Sequence, residues 1–344
     1  MLSALGLQPG DEVILPPLTC NVVPLTLFSL NLKPVYADVS PDTLNLNPAS
    51  VSEAIGPATR AILFQHTYGN SGGLGEVVQL ATARRLPVIE DRAQCLPRAT
   101  PAIAGRGAIF SNNLLKPLPA GSGGVAVTND AALGGELLRM AAPLPAPGSA
   151  AMARLRVEAW LHRRVLRPEL YWFALGLLSR LSGRYGERPV TTQIQTEVTA
   201  AEHAPSDYQM KQGAGWLARA DEWARLRAEC CADYLEGLGG CPGVQIPAVD
   251  FSQPLYYFPV RTKRKRELLR EARRRRIELI AWPNATPIYP LETAAQLAAY
   301  GFHPASCPVA NELAGELIGL PTHDRITPRH RRQIVTLLTT FHSR

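Results

Sequence analysis

Short apolar, β-branched runs alternate with stretches of helical periodicity over the first 140 residues. Glu12–Leu15, Pro34–Ala37, Ala61–Phe64, Pro87–Glu90, Ala108–Phe110 and Gly124–Val127 predict strands, and Val22–Leu32, Val51–Ile55 and Leu74–Arg85 predict helices. Turn-forming clusters at Gln8-Pro9-Gly10-Asp11, Ser40-Pro41-Asp42 and Gly69-Asn70-Ser71-Gly72-Gly73 separate them. Such alternation means βαβ crossovers, hence an α/β fold whose mostly parallel sheet is covered on both faces. Ligands of such sheets sit beyond the carboxyl ends of the strands. From about Trp216, helical patterns surround Val244–Ile246, Tyr256–Val260 and Leu279–Trp282, which predicts a smaller α+β unit. Between the two lie the Pro/Ala/Gly-rich stretch Ala141–Ser149 and then Met152–Ser182, where arginines mix with Trp160, Tyr171, Trp172 and Phe173. The latter reads as a basic amphipathic helix pair that packs on its own sheet or on a second subunit; peripheral contact with an anionic membrane is the less favoured reading. The expected division is a large sheet-bearing domain over 1–140, a linker and helical insertion over 141–215, and a small C-terminal α+β domain over 216–344.

Composition narrows the class. Of 344 residues, 46% are hydrophobic and 19% charged, the balance of a folded water-soluble protein rather than an extended polyelectrolyte. The longest apolar run, Leu170–Leu178, falls far short of the roughly 20 residues a membrane span needs. Met1–Gly6 has no secretory-signal pattern, and the cysteines (Cys20, Cys95, Cys230, Cys231, Cys241, Cys307) show neither a CxxC pair nor zinc spacing. A cytoplasmic setting with reduced thiols and no metal site is therefore expected. The net charge of +7 is concentrated in Arg261–Arg276. Such a run suits nucleic-acid phosphates, but no aromatic side chains interleave with it for base stacking. The preferred reading is a solvated helix with Leu268, Leu269 and Ala272 inward and Glu271 paired to Arg275, and no nucleic-acid partner is expected.

The candidate chemistry lies at strand ends. Val88-Ile89-Glu90-Asp91-Arg92-Ala93-Gln94 puts a carboxylate at the ligand crevice, and Ser111-Asn112-Asn113-Leu114-Leu115-Lys116-Pro117 leads into Ala120-Gly121-Ser122-Gly123-Gly124. Alone, each is unremarkable: such an Asp is commonly a helix cap, such a Lys is commonly solvated, and the glycines lack the Walker pattern. Together, a strand-end Asp and a loop Lys are the layout that holds pyridoxal phosphate, the carboxylate keeping the ring nitrogen protonated and the amine condensing with the aldehyde.

Several blocks in order resemble the fold-type I, pyridoxal-phosphate-dependent sugar aminotransferases of the DegT/DnrJ/EryC1/StrS family. They are Gly10–Pro16, Lys33–Thr43, Gln65–Gly69, Glu90–Gln94, Phe110-Ser111, Lys116, Gly121–Asp130 and Leu320–His323. The resemblance implies a three-layer large domain and a small C-terminal domain. It implies that Lys116 bonds the cofactor, that Asp91 pairs with its ring nitrogen, that Gln94 lies near its 3-hydroxyl and that Ser111 donates to its phosphate. It gives His66 no role. The implied reaction moves an amino group from an amino acid, glutamate in many relatives, to a keto group of a nucleotide-linked sugar, for polysaccharide or glycoside synthesis, in a homodimer. The alternative is a non-catalytic or regulatory descendant that binds the cofactor poorly.

The chain also departs from the family pattern. Only nine residues precede Gly10, so the Gly-Thr phosphate loop expected upstream is absent and an N-terminally truncated large domain is expected. Cys20 stands where a ring commonly covers the cofactor, Pro117 follows the lysine where Asn is common, and Glu202–Ser206 lacks the Asn and Arg by which a second subunit reaches the phosphate.

Overall fold

The computed structural model describes residues 1–98, 101–165 and 203–343. Six strands form one sheet in the order β3-β1-β4-β5-β6-β7. They are β1 (Glu12–Leu15), β3 (Lys33–Tyr36), β4 (Thr59–Gln65), β5 (Val88–Asp91), β6 (Gly107–Ser111) and β7 (Gly124–Val127). All neighbours are parallel except β7, which runs antiparallel to β6. Every strand expected in the first 140 residues is present.

The central strands are apolar on both faces because both faces are covered. Ile14, Ile62, Phe64, Val77 and Ala81 pack on one side, and Val13, Leu15, Leu27, Ala61, Leu63 and Ile89 pack on the other. Successive residues of β1 thus enter opposite cores, as the two-residue period requires. Each Ile, Leu or Phe buried this way contributes about 1.5–3 kcal/mol.

Helices α1 (Val22–Ser29), α2 (Pro48–Ala54) and α3 (Leu74–Ala83) follow β-strands as the crossover pattern demands. Pro48 opens α2, and the Asn47 side chain accepts from the Ala49 N–H. The first helix is shorter than the expected Val22–Leu32. Asn31 takes a φ of 55°, which turns the chain so that Leu32 returns to the core before β3.

The C-terminal residues build a second core. β8 (Tyr257–Arg261) pairs antiparallel with β10 (Leu317–Pro321), and the helices Ala220–Leu238 and Pro328–His342 contribute Tyr234, Leu238, Ile334 and Leu337 to its apolar interior. Leu18, Val39, Leu44 and Tyr68 belong to the same cluster, so the first half of the chain completes this core. A parallel pair, β2 (Thr19–Cys20) with β9 (Ile288–Tyr289), adds a backbone link.

The strands expected at Val244–Ile246 and Leu279–Trp282 shrink to single bridges, Gln245 to Arg261 and Ile280 to Gly319. Pro242, Pro247 and Pro283 flank them, and a residue without an N–H cannot extend a ladder. The basic run forms the helix Lys265–Arg274 with Leu268 and Ala272 buried, Leu269 packed partly inward, and Arg275 Nε 2.7 Å from Glu271 Oε1. Lys265 departs from the solvated pattern. It is buried and donates to the carbonyls of Pro283, Asn284 and Ala314 at 2.7–3.0 Å.

Within Met152–Ser182, the helix Ser149–Val165 accounts for the first part, and the remainder lies outside the described residues. Among the described residues no helix is long and apolar enough to cross a membrane.

Candidate active site

Glu90 and Asp91 end β5, and alternation sends them to opposite faces. Glu90 is fully buried. Its Oε2 receives Arg92 Nε at 2.8 Å and Nη2 at 2.6 Å and lies 2.9 Å from His66 Nε2; its Oε1 accepts the Ala104 and Gly105 N–H groups at 2.8 Å. Burial alone would raise this carboxyl, but the His66, Gly105 and Arg92 partners outweigh it and hold the group at about 2. His66 is kept neutral mainly by its own burial. Among the described residues this cluster is closed on itself.

Asp91 points the other way. It is 6% exposed, its Oδ1 accepts from the Ala93 N–H at 2.9 Å, and it forms no ion pair among the described residues. Burial raises its carboxyl, opposed by the Ala93 hydrogen bond and then by the positive charge of Lys116. Lys116 is therefore within electrostatic reach of Asp91, although 25 positions separate them in sequence (116 − 91). Its loop is tied by the Lys116 N–H to the Asn113 carbonyl at 2.9 Å. Cys20 lies within electrostatic reach of both Lys116 and Asp91; burial dominates and keeps the thiol protonated.

Gln94 is buried and its Oε1 accepts from the Tyr68 N–H at 2.7 Å. Tyr68 holds a positive φ of 57°, and the next residue must be glycine, since a Cβ on Gly69 would sit 3.0 Å from the Gln94 carbonyl oxygen. Ser111 ends β6. Its hydroxyl oxygen is 3.4 Å from the Asn113 N–H, and its own proton has no acceptor among the described residues. Nearby, Asn112 Oδ1 is buried without a donor among the described residues.

One participant was missed by sequence reasoning. Tyr256, just before β8, donates its hydroxyl to the Leu115 carbonyl, and Lys116 Nζ lies 5.9 Å from its ring centroid. On the backbone its N–H donates to the Tyr68 carbonyl at 2.7 Å. Arg227, 8% exposed, lies 5.5 Å from the same ring, and its Nη1 donates to the Leu255 and Tyr256 carbonyls and to Thr322 Oγ1. Nothing in Pro254-Leu255-Tyr256-Tyr257 marks this role except an aromatic pair at a strand start. Of Glu202–Ser206, where the family pattern leads one to expect a partner-reaching Asn and Arg, Glu202 lies outside the described residues and Ser206 caps the helix Asp207–Leu217, whose Gln209 Nε2 donates to the Ser122 carbonyl at 3.1 Å.

The donor set fits pyridoxal phosphate. Among the described residues, a buried carboxylate without an ion pair suits a pyridinium, an amine without an ion pair suits the aldehyde, and a Ser111 proton without an acceptor suits a phosphate oxygen. A mostly parallel sheet presenting these groups at its strand ends is the scaffold of the fold-type I pyridoxal-phosphate transferases.

Residues 1–153 and 185–339 match the DegT/DnrJ/EryC1/StrS aminotransferase family, and the chain belongs to it. It is 30% identical over 329 residues to the dTDP-3-amino-3,4,6-trideoxy-alpha-D-glucose transaminase of Streptomyces venezuelae, covering 93% of this chain and 73% of that protein. Over 136 residues it is 39% identical to the L-glutamine:2-deoxy-scyllo-inosose aminotransferase of Streptomyces kanamyceticus. That match covers 38% of this chain and 32% of the relative, so it spans about a third of the relative's length. Among solved structures, S. venezuelae DesV superposes with a TM-score of 0.73 at 26% identity, covering 100% of this chain and 81% of that one.

Proposed function

We propose that the chain carries the centre of a pyridoxal-phosphate-dependent aminotransferase that acts on a keto group of a nucleotide-linked sugar with an amino acid such as glutamate as donor. The carrying observation is the buried Asp91 lying within electrostatic reach of Lys116, each without an ion-pair partner among the described residues. The 30% identity to a dTDP-sugar transaminase across 93% of the chain supports the sugar class.

In this reading Asp91 holds the proton on the ring nitrogen, Gln94 sits beside the 3-hydroxyl, Ser111 donates to the phosphate, and Lys116 bonds the aldehyde. Released from that bond, the Lys116 amine moves the proton at the substrate carbon. The bound cofactor supplies an electron sink for the pair left when that C–H bond breaks. Tyr256 fixes the Lys116 loop through the Leu115 carbonyl. The active unit is a homodimer, and light scattering at micromolar concentration should give twice the chain mass; a single-chain mass contradicts it.

The deciding test is an absorbance spectrum with added pyridoxal phosphate beside Lys116→Ala. A band at about 410–430 nm, removed by borohydride and absent from the variant, is expected. A second reading, a non-catalytic or regulatory descendant, is favoured by Cys20 replacing a ring at the crevice. Absence of the band supports that reading.

A further inference from the structure

The basic run has a counterpart that the proposed chemistry leaves unused. Between the helix Lys265–Arg274 and the C-terminal helix Pro328–His342, Arg275, Arg329 and Arg332 line a cavity of about 420 Å³. Gln333 and Thr336 add polar side chains, and Ile277 and Leu337 add apolar surface. Arg275 is held by Glu271, whereas Arg329 and Arg332 form no ion pair among the described residues and are exposed.

Stability does not account for this placement. The C-terminal helix has no acidic residue in its first turn, so Arg329 and then Arg332 stand near its positive pole, where cations are disfavoured. Thr327 already caps that end, accepting the His330 N–H. Arg329 and Arg332, beside an Arg275 whose charge Glu271 offsets, repel each other until an anion enters. Their planar forks match phosphate oxygens two at a time. The volume lies in the range that admits a small ligand, and the two apolar side chains offer a seat for a base or sugar. No aromatic side chain lines the cavity, which disfavours stacked single-stranded nucleic acid.

We infer that this cavity, formed by Arg275, Arg329 and Arg332, is a binding site for a small diphosphate-bearing ligand of the nucleoside diphosphate class, separate from the crevice at Lys116.

The test is titration calorimetry of the full chain with inorganic pyrophosphate and with ADP, at about 150 mM salt to suppress diffuse attraction. The comparison is between Arg329→Ser/Arg332→Ser and, as a charge-matched control, Arg266→Ser/Arg270→Ser, with circular dichroism confirming that both remain folded. Saturable binding, weaker by roughly a hundredfold in the cavity variant and retained in the control, is expected. Equal loss in both variants, no effect in either, or no saturable binding overturns the proposal. So does tight binding of a 20-mer RNA that pyrophosphate fails to displace, which would assign the surface to nucleic acid.

Discussion

Glu90 and Asp91 share one strand end, yet their surroundings give them opposite electrostatics. Glu90 is held at about 2 against an ordinary 4.5, so its ionised form favours the folded state. That stability is present above about pH 4.5 and is lost as the pH falls through about 2. Glu90→Gln should cost about 2–3 kcal/mol at pH 7, and urea titrations should show the gap closing across that window. Asp91 is raised instead, mainly by burial. The two are indistinguishable as letters in Ile89-Glu90-Asp91-Arg92. The family resemblance singled out Asp91, which in the fold is the one of the two without an ion-pair partner among the described residues. Tyr256 remained invisible because its role depends on a contact across 141 positions with Leu115 and on no local pattern. Tyr256→Phe removes the hydroxyl that holds the Lys116 loop, and pyridoxal phosphate should bind several-fold more weakly by equilibrium absorbance titration while the melting temperature moves little.

Among the elements, the helix Pro308–Glu316 shows how distant sequence finishes local structure. Asp38, near the start of the chain, accepts the Val309 and Ala310 N–H groups at 2.9 Å with its two oxygens. These are orphan donors of the first turn, and a carboxylate at that pole is favourable. Asp38→Ala should cost about 1–2 kcal/mol, and hydrogen exchange should accelerate at Val309 and Ala310 before the rest of the helix. The six strands of the large sheet were legible because each is a compact run rich in apolar residues, set apart by turn clusters or helical stretches. β10 was not: Gly319 and Pro321 interrupt Leu317–Pro321, and its pairing with β8 satisfies a ladder that no local pattern reveals. The strands expected at 244–246 and 279–282 failed for the converse reason, β-prone letters next to prolines: Pro242 and Pro247 around the first, Pro283 after the second.

For the molecule as a whole, the decisive feature is that the second core is made by both ends of the chain. Leu18, Val39, Leu44 and Tyr68 lie among Phe258, Phe302, Leu317 and Leu337. On a ribosome, the first 140 residues emerge with all the strands of the large sheet, while those four apolar side chains still lack their counterparts. Closing the second core means joining segments roughly three hundred positions apart, and such long-range contacts form slowly. During synthesis, then, the nascent protein carries an exposed sticky face until the helix Pro328–His342 is released, and this interval is when chaperone capture competes with aggregation.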